Sequence, residues 1–223
     1  MKTMKANKFE FLRSKKILGF LSVAGLILVG FSGVVGQIST ASLQQEPMLL
    51  DVPALRQALG TSCGEAVIAI TYNYAYPETP ITEQQVIDYA AANGYYTPNL
   101  PPWTSPASMV KIAENYMDDV ATGRVFTARQ GLDLLTQNLR RGDPVIIDVL
   151  TNFNDPESDA HFIVVTGISV DPNRNNAVVI HYNDPLTGTK ESGDWKGSRG
   201  VWNAWQTNGD PGGPGWWMVI PAP

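Results

Sequence analysis

The sequence predicts an α+β domain, a helical N-terminal part that bears the reactive group and packs on an antiparallel sheet. Helix start and stop signals fall before residue 142, and β-branched or aromatic runs fall after it, an order that argues against a doubly wound sheet. Composition agrees with a globular chain: 43% of the 223 residues are hydrophobic and 17% are charged, with 20 Gly and 16 Pro. That balance excludes a coiled coil, a collagen-like fibre and a disordered acidic chain.

The elements follow in order. Ser62-Cys63-Gly64-Glu65 has capping-box spacing and opens an apolar stretch over 66–74. Ser62 is expected as the N-cap, Cys63 as the first helical residue and Glu65 as the third. Thr82 with Gln85, and Thr127 with Gln130, have the same spacing and predict helices over 83–93 and 128–141, stopped by Gly94 and Gly142. Ser105-Pro106 opens a further helix through about Met117. Strands are predicted over 144–150, 161–169, 177–183 and 216–220, each bounded by Asp, Asn, Pro, Ser or Gly. Five of the six tryptophans lie between Trp195 and Trp217, and core packing is the expected reason, with a short helix near 201–205 covering the sheet.

Charge divides the chain. Residues 1–41 hold six cations and one acid, and the remainder holds ten cations and twenty acids, a net charge of −10. Such a body repels phosphate backbones and shows no basic stripe, so nucleic acid is excluded as a partner. Residues 17–36 are uncharged and apolar and are followed by Ser39-Thr40-Ala41. Residues 1–41 therefore read as a signal peptide or an N-terminal membrane anchor, 42–49 as a short linker and 50–223 as one domain. The basic flank places that domain outside, either secreted or on the extracytoplasmic face of the membrane. A monomer is expected.

An exported chain with one cysteine cannot form an intrachain disulfide. Cys63 is then a small buried hydrophobe, a dimer bridge or a reactive thiol. Its place at a helix N-terminus favours an anion, and a cysteine nucleophile at neutral pH also needs an imidazolium partner. There are two histidines. His161 opens one strand and Asp184 ends the next, joined by the turn-rich segment 171–176. If Val170 pairs with Ala177, Ile163 faces Asp184 and His161 lies one diagonal away on the same face, about 7–8 Å between backbones. A slip of one residue turns the pair onto opposite faces. His181 is the competing base, although strand alternation sets it opposite Asp184. Asn183 is the second candidate for orienting the imidazole.

Gln57 precedes Cys63 by six residues, and its amide could join the Cys63 backbone N–H in stabilising an oxyanion; alone, it reads equally as a solvated glutamine. The oxygen-rich run Asn152, Asn154, Asp155, Glu157 and Asp159 lacks the glycine of a helix-loop-helix calcium site and is interrupted by Pro156. One Cys and two His make no convincing zinc site. No cofactor or metal is expected.

The spacing of Gln57 to Cys63, Cys63-Gly64 at a helix start, Gly142-Asp-Pro-Val-Ile-Ile before a strand, His161-Phe-Ile-Val-Val-Thr-Gly167 and Tyr182-Asn-Asp-Pro-Leu-Thr-Gly188 resemble the papain-like cysteine peptidases of the double-glycine-leader (bacteriocin-processing) type. The resemblance covers most of 50–220. It implies a papain-like fold, with Cys63 as nucleophile, His161 as general base and then acid, Asp184 as orienting residue and Gln57 as oxyanion donor. It also implies hydrolysis of a peptide or protein substrate through a thioester. With no Gly-rich nucleotide loop and no multispan region, the sequence resembles the stand-alone exported members rather than the export-ATPase domains. Two rival readings remain: a cell-wall peptide amidase or acyltransferase with the same chemistry, and a catalytically inactive binding module.

Overall fold

The computed structural model describes residues 47–101 and 103–222. The apolar run 17–36 lies outside them, and among the described residues no helix is long and apolar enough to cross a membrane. The fold is α+β and papain-like, with three helices preceding most of a single antiparallel sheet.

The N-terminal layer comprises α1 (Cys63–Ala75), α2 (Glu83–Ala92) and α3 (Pro106–Ala113). α2 starts where a complete capping box fixes it: Gln85 N donates to Thr82 Oγ1 at 3.2 Å, and Thr82 N donates to Gln85 Oε1 at 2.7 Å. α3 starts at Ser105 with proline in its first turn, as expected, but ends at Ala113 rather than near Met117. Asn115 N and Tyr116 N reach back only three residues, to Ile112 O and Ala113 O, so the last turn tightens out of α geometry. α4 (Ala128–Arg141) matches its expected span, and Gly142 closes it in the left-handed conformation at φ 88°.

The sheet runs in the order β2 (Ala121–Arg124), β7 (Trp216–Val219), β3 (Val145–Leu150), β4 (Ala160–Asp171), β5 (Ala177–Asp184), β6 (Thr189–Asp194), with β1 (Met48–Leu49) paired to the far end of β4. The four predicted strands are present. β1, β2 and β6 have no counterpart in the sequence reading, because they are short or polar: Ala-Thr-Gly-Arg and Thr-Lys-Glu-Ser-Gly-Asp carry no apolar run.

Alternation along the central strands divides the core into two layers. Ile146, Phe162, Val164 and Met218 pack with Val67, Ile68, Met109 and Ile112 of α1 and α3. Val145, Ile147, Ile163 and Val165 pack with Leu135 and Leu139 of α4 and with Ala204 and Trp205 of α5 (Val201–Thr207). β3 is buried on both faces, which is why its sequence reads as a continuous apolar run. Trp195 and Trp205 are fully buried, and the Trp205 indole N–H donates to Trp216 O at 2.6 Å, so most of the tryptophan cluster is core.

The β4–β5 register departs from expectation near the turn. Ala177 pairs with Asp171, not Val170. A β-bulge between Val165 and Gly167 then shifts the pairing by one residue, so Val164 lies opposite Asn183. Beyond the bulge the register is the predicted one. The carbonyl of Thr166, at the bulge, accepts Leu50 N at 2.8 Å and anchors the strap that leads to Cys63.

Candidate active site

Cys63 is the first residue of α1 and is half-buried. The expected capping box does not form there. Ser62 has φ −97° and ψ 27°, outside the extended geometry of an N-cap, and its hydroxyl donates to Glu83 Oε1 at 2.6 Å while accepting Leu59 N at 3.0 Å. Glu65 points into the interior, where Oε1 accepts from Thr104 Oγ1 at 2.6 Å and Oε2 has no partner. Burial pushes its carboxyl up to about 7, even though the Thr104 bond favours the charged form.

As at any helix start, the first N–H groups of α1, including that of Cys63, lack intrahelical acceptors, and no side chain caps them. The loop before them is held from outside the helix: Glu83, in the first turn of α2, accepts Ala58 N with both carboxyl oxygens at 2.9 Å as well as the Ser62 hydroxyl. The sequence reading assigned Glu83 only a helix start. Nothing in its local pattern distinguishes it from an ordinary first-turn acid.

His161 is buried, and its Nε2 lies 2.7 Å from Asp184 Oδ1. The Cys63 thiol neighbours the ring. Burial opposes a charged imidazole, but the hydrogen bond to Asp184 and the proximity of Cys63 outweigh it and raise His161 to about 10. Asp184 is also partly desolvated, yet His161 and the backbone N–H groups of Leu186 and Thr187 hold its carboxyl below the usual range. Cys63, His161 and Asp184 thus form a contiguous thiol–imidazole–carboxylate chain.

Gln57 joins them through the strap. Its backbone N–H donates to Pro185 O at 2.8 Å, beside Asp184, and its Nε2 donates to Leu59 O at 2.7 Å. One N–H of the amide remains, and Oε1 is buried without a partner. The competing base, His181, and the competing orienting residue, Asn183, stand elsewhere. His181 Nε2 meets Ser169 Oγ at 2.8 Å, and Asn183 Nδ2 donates to Val52 O and Pro53 O at 3.1 Å, binding the strap to β5.

A cleft of about 470 Å³ opens over Cys63. One wall is Thr61, Trp103 and Thr104; the other is the β3–β4 loop with Glu157 and Asp159, then Phe162 and Asp210. The oxygen-rich loop caps its own turns, since Asn154 N donates to Asn152 Oδ1 and Glu157 N to Asp155 Oδ1, both at 3.0 Å. Behind Asp210 lies Asp148, fully buried on β3, with neither carboxyl oxygen hydrogen-bonded to a donor. Its burial and the neighbouring Asp210 hold Asp148 well above the carboxylate range, and burial raises Asp210 to about 6. An acid within Val-Ile-Ile-Asp-Val-Leu was the one sequence signal for this pair, and the reading passed over it.

A cysteine at a helix start, facing an imidazole oriented by a sheet carboxylate across an open cleft, defines the class of cysteine hydrolases built on the papain plan. Residues 49–210 match the family model described as Peptidase_C39 like family. The chain belongs to that family of C39-type cysteine peptidases. No curated protein matches the sequence.

Proposed function

We propose that this protein is a cysteine peptidase that hydrolyses peptide bonds through an acyl-thioester on Cys63. The observation that carries the reading is His161, bonded to Asp184 at 2.7 Å beside the thiol of Cys63 at the start of α1. Proton transfer to His161 leaves a thiolate and an imidazolium, and the thiolate attacks the substrate carbonyl. Negative charge moves to the carbonyl oxygen, where the Cys63 backbone N–H and the free Gln57 amide N–H are its donors. Collapse of that intermediate expels the amine, which takes its proton from His161. Neutral His161 then removes a proton from water, hydroxide adds to the thioester, and the acid leaves as the thiol is restored.

Export is part of the proposal. Six cations before the uncharged run 17–36 support translocation of the domain, and a peptide or protein outside the cytoplasm is its substrate. The test uses the full-length protein and its Cys63→Ala variant against a mixed peptide library, with products identified by mass. Cleavage by the native chain and none by the variant is expected; equal cleavage by both overturns the reading.

A further inference from the structure

The cleft wall opposite Trp103 has a charge pattern that the hydrolytic chemistry does not use. Glu157, Asp159 and Asp210 line it, and no Lys or Arg lines the cleft among the described residues. The nearby imidazole of His161 is already paired with Asp184. Glu157 and Asp159 are exposed, but Asp210 is half-buried and its Oδ1 has no partner.

Asp148 is the second and independent observation. It is fully buried, lacks a hydrogen-bond partner for either oxygen, and neighbours Asp210 across Gly213. A side chain at Gly213 would collide with Asp148 Oδ2 and Asn208 Oδ1, so the backbone is pressed against the pair and fixes it. Asn208 is itself tied by Nδ2 to Asp148 O at 2.8 Å and Trp205 O at 3.2 Å. Two neighbouring carboxyls disfavour each other's charge, and burial keeps the proton on Asp148, the deeper of the two. The remaining negative charge faces the cleft from a rigid support and lacks a cation.

We propose that Asp210, braced by Asp148 and helped by Asp159 and Glu157, forms the subsite for a cationic side chain, so that the enzyme cleaves next to Lys or Arg. This rests on the peptidase reading and names its substrate class. The cleft supplies both parts such a side chain needs. Trp103, Phe162, Pro101, Pro156 and Pro211 offer apolar surface for the aliphatic stem, and the carboxylates receive the head group. Trp103 adds an aromatic face for a cation.

The single cysteine allows a test that does not depend on turnover. Three methanethiosulfonates, carrying trimethylammonioethyl, methyl or sulfonatoethyl groups, are reacted with the full-length protein. In each reaction the thiolate attacks the sulfenyl sulfur, a disulfide forms and methanesulfinate leaves. The cationic reagent is expected to react about 10–100-fold faster than the anionic one after correction for their rates with free cysteine. Asp210→Asn should reduce that ratio several-fold. The double variant Glu157→Gln with Asp159→Asn, confined to an exposed loop, should do the same without disturbing the core.

Equal rates for the two charged reagents, or a ratio that neither variant moves, overturns the proposal. Matched peptides carrying Lys or norleucine separate it from the function beneath it. Cleavage without preference for Lys removes the subsite and leaves the peptidase. Charge discrimination at Cys63 with no peptide cleaved removes the peptidase and leaves a cation-selective cleft.

Discussion

His161 Nε2 meets Asp184 Oδ1 at 2.7 Å because two irregularities of one residue cancel along the β4–β5 hairpin. Ala177 pairs with Asp171, one position beyond Val170, and the bulge between Val165 and Gly167 removes that offset before the strands reach the site. Without the bulge, strand alternation would set His161 and Asp184 on opposite faces. The geometry of this pair depends on a local defect in the ladder, and Leu50 N bonds Thr166 O at that defect.

The Asp184 contact sets the pH dependence of the imidazolium. His161 is raised to about 10 by Asp184 and Cys63, so its acid form persists through neutral pH and is lost as pH rises through about 10. Its stabilising contribution has the same sign, present in full below the unfolded value near 6.5 and disappearing toward 10. Asp184→Ala should move the alkaline limb of peptide cleavage down by roughly one to two pH units. A pH–rate profile of the two proteins checks this, and an unmoved limb contradicts the assignment.

Gln57 has one amide proton left after bonding Leu59 O, and its backbone is fixed by Pro185. Gln57→Ala should lower kcat about 10²–10³-fold with little change in KM, because the donor acts on charge that develops in the transition state. A comparable rise in KM would instead place Gln57 in ground-state binding. Alkylation of Cys63 at pH 7 by a neutral reagent should be nearly unaffected, since that reaction creates no oxyanion.

Glu83 acts on the same strap by holding Ala58 N and the Ser62 hydroxyl. Glu83→Ala leaves the Ala58 N–H without an acceptor and the Ser62 hydroxyl with only Leu59 O at 3.1 Å, a loss of roughly 1–3 kcal/mol. Urea unfolding should show that loss, and kcat should fall further than the unfolded fraction explains. Recovery in Glu83→Gln should be partial, since an amide offers one acceptor oxygen where the carboxylate offers two.

Buried Glu65 makes a prediction of the same sign as that of His161, in a lower pH window. Its carboxyl is raised to about 7 from an ordinary value of 4.5, so the folded state binds more protons than the unfolded one between those values. Stability should therefore fall as pH rises across that window, by an amount on the order of 2–3 kcal/mol. Glu65→Gln keeps the acceptor for Thr104 and removes the ionisation. Urea midpoints at pH 5 and pH 8 should differ less in the variant, and an unchanged difference would mean that Glu65 does not titrate in this range.

Much of this site was legible because its chemistry is rare in the chain. One cysteine and two histidines leave few pairings, and strand alternation alone separated His161 from His181. The capping box at Ser62 misled because an interior acid and a capping acid look alike in sequence; long-range partners, Glu83 and Thr104, took the two side chains. The pairing of Asp148 with Asp210 brings together positions 62 residues apart through a glycine packed against both. No local pattern encodes such a contact. The register was predicted correctly at the site although the turn pairing was not, since the bulge is set by contacts to β1 and the strap rather than by the hairpin's own residues.

Gly131 tests the opposite core layer. It lies in α4, where Gly is about 1 kcal/mol less favourable than Ala, so helix propensity alone predicts that Gly131→Ala stabilises the protein. The structure predicts the reverse. A Cβ at Gly131 would lie 2.9 Å from Trp202 Cζ3 and 3.1 Å from Trp195 Cη2, and Trp195 is fully buried. The two rings pack tilted at 50° with centroids 5.5 Å apart, and Trp195 packs edge-on against buried Trp205, so neither can yield freely. Overpacking typically costs 1–3 kcal/mol, enough to exceed the propensity gain, and a net loss of about 1 kcal/mol is expected. A lower urea midpoint for Gly131→Ala, with peptide cleavage at native temperature retained, is the outcome that fits; a raised midpoint would show that the tryptophan cluster relaxes more readily than its burial implies.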